Sequence, residues 1–123
     1  MPTRLNTATA NAQVQARANQ YTALDIYTAT QPATGNTAAS GTLLGTITTV
    51  AFGTAASGSV AKAGTWSTTA GASGTAGWYR LRNAAGTASE DGAFGAEATI
   101  DNASIVSGGT ITVNTCTLTQ PLA

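Results

Sequence analysis

The sequence contains no histidine, and its one cysteine is Cys116. Without an imidazole, nucleophilic systems of the Ser/His/Asp or Cys/His kind lack their base unless lysine substitutes, and Lys62 is the one lysine. A single thiol closes no internal disulfide, and no CxxC or Cys/His cluster is present to bind zinc. Charge is scarce as well: five basic and five acidic side chains give a formal charge of zero. Binding to nucleic acid or an anionic membrane draws on clustered Lys and Arg, and only Arg80 and Arg82 lie close together, so neither partner is expected. No run of about 18 apolar residues could span a bilayer, and the first residues contain no apolar stretch like a signal peptide. A soluble protein, without cofactor or metal, is the expectation.

Bulky apolar residues are also few. Leu, Ile, Val and Phe make up about 15% of the 123 residues, and alanine supplies most of the rest of the 42% hydrophobic fraction, which predicts a thin core. The absence of net charge and the clustering of large apolar residues beside β-branched ones point to a folded chain. Residues 6–20 are rich in Ala, Gln and Arg, with Asn6 or Thr7 as a cap, and predict a short helix. Its apolar face, Leu5, Val14 and several alanines, is too weak to hold it alone in water, so it needs a surface to lie on.

From Tyr21 onward, short β-branched or aromatic runs alternate with turn residues. Leu24 to Tyr27 and Leu43 to Val50 read as strands, with turn chemistry from Gln31 to Asn36 between them. Val60 and Trp66 follow, then an exposed glycine-spaced loop from Thr69 to Gly77. The run Trp78 to Arg82 alternates, Tyr79 and Leu81 on one face and Trp78, Arg80 and Arg82 on the other. Asn83 to Gly86 is a turn, and Phe94, Ala96, Ala98 and Ile100 form a half-buried strand. In the last strand, Thr110 to Thr119, the apolar positions Ile111 and Val113 are out of phase with Cys116 and Leu118, which predicts a bulge near Asn114 and Thr115. The fold class that results is all-β, an antiparallel, jelly-roll-like β-sandwich over residues 21–123. Residues 1–20 precede it as an arm, helical or extended.

Candidate chemistry is thin. A glycosidase needs two facing carboxylates; Glu90 and Asp91 sit in what reads as a turn before Gly92, and Glu97 and Asp101 on one strand would be roughly 13 Å apart. Glu90, Asp91 and loop carbonyls match no calcium-loop spacing. The glycines of residues 71–77 lack the lysine of a phosphate loop, and Asn102-Ala103-Ser104 is a glycosylation pattern without a secretion signal. Trp78, Arg80 and Arg82 are open to two readings: an aromatic and guanidinium face that docks a partner or a sugar, or a second packing layer in which Arg80 pairs with Asp25 or Glu97. Cys116 reads as a small buried hydrophobe.

Taken in order, Asn11-Ala12-Gln13, Leu24-Asp25-Ile26-Tyr27, Thr30-Gln31-Pro32-Ala33, Leu43-Leu44-Gly45-Thr46-Ile47, Ala51-Phe52-Gly53, Gly77-Trp78-Tyr79-Arg80, Asp91-Gly92 and the segment Ser104 to Gly109 resemble small virion proteins of tailed bacteriophages. The resemblance spans nearly the whole chain. It implies a non-enzymatic structural component, a capsid decoration or cement protein that binds the major capsid protein on the outer surface of the head. It brings no catalytic residues. The chain itself is expected to form a homo-oligomer, with trimers favoured, while the arm reaches over a neighbour; Leu5, Val14, Arg17, Tyr21, Trp78, Arg80 and Arg82 are the expected docking residues. A carbohydrate-binding or adhesion module using Trp66, Trp78 and Tyr79 as stacking platforms, and a tail or head–tail connector component, are the competing expectations.

Overall fold

The computed structural model describes residues 6–29, 31–32, 39–95 and 98–119. One helix, α1 (Thr7–Gln20), precedes ten strands: β1 (Ala23–Tyr27), β2 (Leu43–Ile47), β3 (Ser59–Ala61), β4 (Trp66–Thr69), β5 (Gly74–Thr75), β6 (Trp78–Arg82), β7 (Ser89–Ala93), β8 (Ala98–Ile100), β9 (Ser104–Ile105) and β10 (Thr110–Thr119). The fold is the expected all-β, sandwich-like one with a helix near the N-terminus. In the first sheet the order is β2-β1-β6-β7, all antiparallel. The second is built around β10, which pairs β4 along 110–113, β8 along 113–116 and β3 along 117–119. Strands β5 and β9 form a short separate ribbon.

Alternation explains how these residues fill one core. Leu24, Ile26, Tyr79 and Leu81 from the first sheet meet Val60, Trp66, Ile111, Val113, Cys116 and Leu118 from the second. The bulge lies where the phase change in β10 requires it: the register against β8 shifts between Val113 and Thr115, which turns all four apolar positions of β10 inward. Small residues let the layers approach. A side chain at Gly45 of β2 would come within 3.1 Å of both Ile111 and Thr68 on the facing sheet.

Several sequence expectations are corrected. Glu90 and Asp91 are not in a turn; they belong to β7, the strand that follows the Asn83–Gly86 turn and pairs with β6. Phe94 and Ile100 do not share a strand, because the chain bends at Gly95, whose φ of 108° lies in the left-handed region, before β8 begins. The 69–77 loop is not exposed throughout: Ala70 and Ala76 are buried, and Gly74–Thr75 pairs with β9.

The largest difference concerns the arm. Helix α1 starts as expected, with Asn6 Oδ1 accepting the Thr9 N–H at 2.8 Å. Its Ala10, Val14 and Ala18, spaced four apart on one face, are buried, Val14 and Ala18 within the same core as the strands. Polar side chains fix it further: Asn11 Oδ1 accepts the Gly58 N–H, while Gln15 accepts from Ala55 N–H and donates to the Gly53 carbonyl. The surface the weak helix needs is therefore its own sandwich, and residues 7–20 are part of the body and not an arm over a neighbour.

Candidate functional site

Two clusters of charged and aromatic residues flank β7. The first covers the outer face of the β2-β1-β6-β7 sheet. Register places Thr46, Asp25, Arg80 and Asp91 in one row across the four strands, with Leu43, Tyr27, Trp78 and Ala93 in a second row beside it. Arg80 grips Asp91 with two hydrogen bonds, Nε to Oδ1 at 2.6 Å and Nη2 to Oδ2 at 2.9 Å. Arg82 reaches diagonally to Asp25, with 2.8 Å and 3.3 Å bonds, and the Thr46 hydroxyl donates to the same carboxylate at 2.7 Å. Such forked, charge-assisted pairs fix both side chains in one geometry. The hydrogen bond to Asp91 raises the Arg80 pKa above its ordinary value, and the bond to Asp25 does the same for Arg82.

The aromatic row lies under this charge network. Tyr27 stacks on Trp78 with ring centroids 4.7 Å apart, and the Arg80 guanidinium sits 5.3 Å from the centre of the indole. The indole N–H donates to the Thr28 carbonyl at 3.2 Å, and Trp78 is fully buried. Burial, then the Asp25 charge, raises the Tyr27 pKa.

The second cluster joins the helix to the edge of the sheet. Glu90 accepts from Arg17 Nε at 3.2 Å, from Arg17 Nη2 at 2.7 Å and from the Tyr21 hydroxyl at 3.0 Å. Arg17 also donates to the Thr119 carbonyl at the end of β10. Burial, and after it the charge and hydrogen bond of Glu90, push the Tyr21 phenol well above its usual pKa. Neighbours in sequence, Glu90 and Asp91 serve these separate clusters, so their carboxylates do not face each other as a glycosidase pair would.

Of the expected docking residues, Leu5 lies outside the described residues. Arg17 and Tyr21 meet in the helix cluster, and Trp78, Arg80 and Arg82 meet in the sheet cluster. Val14, Tyr21 and Trp78 are buried in the chain's own structure, which corrects their expected place on a contact surface. Arg80 pairs with Asp91, while Asp25, expected for Arg80, is taken by Arg82; Glu97, the other expected partner, lies outside the described residues. Sequence reasoning missed Asp91, Glu90, Tyr27 and Thr46 as members; the signal for Asp91 was its distance from a turn that closes a hairpin with Arg80's strand. The rings proposed as sugar platforms are closed to solvent, since Trp66 and Trp78 are 0% and Tyr79 is 1% exposed.

No family model, curated protein or solved structure matches this chain. What the site can do follows from its geometry alone. Among the described residues no group of three His, Cys, Asp or Glu side chains could hold a metal ion. An open hollow of about 300 Å³, lined by Ala76, Phe94, Gly95, Thr99, Ile100 and Ala103, contains one side-chain hydroxyl, and that hydroxyl bonds to Thr115. Convergent polar groups of the kind that orient a small ligand are not among its lining residues.

Proposed function

We propose that this chain is a non-enzymatic structural subunit of a tailed-phage particle, a decoration or cement protein that binds the major capsid protein on the outside of the head. The observation that carries the reading is the internal neutralisation of its charge. Three Arg–carboxylate pairs, Arg17–Glu90, Arg80–Asp91 and Arg82–Asp25, are closed within one copy, and Trp66, Trp78 and Tyr79 are buried. A surface of that kind suits packing against many neighbours. Copies placed side by side experience little mutual repulsion, whereas a strongly charged module repels itself within a Debye length. Binding to a lattice also adds stability by mass action to a domain whose core is thin. The resemblance of its short motifs, in their order, to small virion proteins points the same way.

Quantitative peptide mass spectrometry on purified particles tests the assignment. Shell decoration requires copies on the order of hundreds per particle, following the symmetry of the head. Rings of about six or twelve copies would move the protein to the tail axis, and its absence from purified particles would refute the assignment.

A further inference from the structure

Helix α1 is joined to the sandwich differently from any strand. Among the described residues strands pair only with strands, so undocking α1 breaks no sheet ladder. The helix contributes three buried side chains, two of them alanine, and the core between the sheets is filled mainly by strand residues. The junction is a single residue. Thr22 already donates its N–H to the Arg82 carbonyl of β6 at 3.0 Å, and Tyr21, extended at φ −97° and ψ 124°, lies between it and the last helical residue, Gln20. Of the three Arg–carboxylate pairs, the one that holds α1 parts at least cost. Arg17 and Glu90 are 31% and 22% exposed, whereas Asp91 and Asp25 are 3% and 9% exposed and would be left as buried, unpaired charges. When Arg17 leaves, water reaches Glu90, and the Tyr21 hydroxyl remains its donor. Asn11 and Gln15 likewise exchange their backbone partners at Gly53, Ala55 and Gly58 for water.

We infer that α1 is a strap that undocks as a unit while the sandwich stays folded, hinged at Tyr21 and latched by Arg17. Arg17 suits that role because it ties the helix to both sheets at once, through Glu90 of β7 and the Thr119 carbonyl of β10. A 14-residue helix without a surface to lie on is marginal in water, so the undocked segment loses its helical bonds together and not one by one. The open form uncovers the part of the sandwich that Val14 and Ala18 cover and keeps every strand pairing. The chain then has two levels of stability, a lower one for the strap and a higher one for the sheets.

Residue-resolved hydrogen exchange of the whole chain in rising, sub-denaturing urea tests it. The amides of Asn11 to Gln20 are expected to exchange through one shared opening, at least about tenfold more frequent than the opening that frees the β6 and β10 amides. Its urea dependence is expected to be weaker, because less surface is exposed. Two substitutions separate the strap from global unfolding. Ile111→Val weakens β10 at the end remote from Thr119, and a sandwich still folded in the open form feels the change equally in both forms. Strand exchange is therefore expected to rise about 2- to 10-fold while α1 exchange stays unchanged. Arg17→Gln removes the latch, and α1 exchange is expected to rise about 2- to 5-fold. Urea dependence is read on the unaltered chain, so it decides the matter even if a variant does not fold. Exchange of α1 with the opening frequency and urea dependence of β10, or its acceleration by Ile111→Val to the same extent as the strands, overturns the inference. Exchange of α1 that is indifferent to Arg17→Gln overturns the assignment of the latch.

Discussion

Replacing Gly92 by alanine puts a methyl group where the structure has no room for one. Gly92 lies on the edge strand β7 directly opposite Tyr79 of β6, and the Tyr79 ring covers it. A Cβ at position 92 would fall 2.3 Å from the tyrosine oxygen and 2.5 Å from Cζ. Relief requires the ring to move by about 1 Å to reach an ordinary carbon contact. The ring cannot swing into solvent, since Tyr79 is buried and Phe94 packs beside it with centroids 5.2 Å apart. Overpacking of this kind costs about 1–3 kcal/mol, offset by about 0.4–1 kcal/mol from the stiffer unfolded chain. The net expectation for Gly92→Ala is a loss of about 1–2 kcal/mol, or roughly 4–8 °C in Tm for a domain of this size. Gly71 is the internal control, because a Cβ there meets nothing within 4 Å and its backbone is outside the left-handed region. Gly71→Ala should be neutral or slightly stabilising. Urea unfolding followed by both far-ultraviolet circular dichroism and tryptophan fluorescence measures the pair. Equal stability of the two variants would refute the packing described around Tyr79.

Three further perturbations probe the charge clusters. Glu90→Gln removes the carboxylate that Arg17 and Tyr21 share and should cost about 1–2 kcal/mol; hydrogen exchange should show the loss concentrated in α1, and unchanged protection there would contradict the clamp. Stability should fall as pH rises past 10.0, the ordinary tyrosine value, because the folded chain holds the Tyr21 proton more tightly than the unfolded one. Tyr21→Phe should flatten that fall in urea midpoints, and an unaltered slope would show that Tyr21 is not its source. Arg80→Ala strands Asp91, whose side chain is 3% exposed, and should cost about 3–5 kcal/mol. Adding Asp91→Ala should restore part of the loss, and strictly additive losses would refute the coupling.

Much of the fold was legible because alternation and capping act locally. Asn6 announces the start of α1, Trp78 to Arg82 declares its two faces, and the phase change between Val113 and Cys116 fixes the bulge before any partner strand is known. The site was less legible because its members come from strands far apart in the chain. Nothing near Arg80 in sequence reveals that Asp91 becomes its neighbour; the hairpin register does, and Gly92 disguised β7 as a turn. The helix was misplaced for a related reason. Its apolar face is mostly alanine, too weak to hold it alone in water, and the sequence does not show which surface supports it; small side chains permit close approach to its own strands, and Asn11, Gln15 and Arg17 supply specific bonds that composition does not show.

Cryo-electron microscopy of purified particles at side-chain resolution is the most direct test of the central claim. The account predicts symmetry-related density on the outer head surface that fits this sandwich, with α1 seated on its own strands and the Arg80–Asp91 pair closed. A bare head surface, or density for the chain confined to the tail, would contradict it.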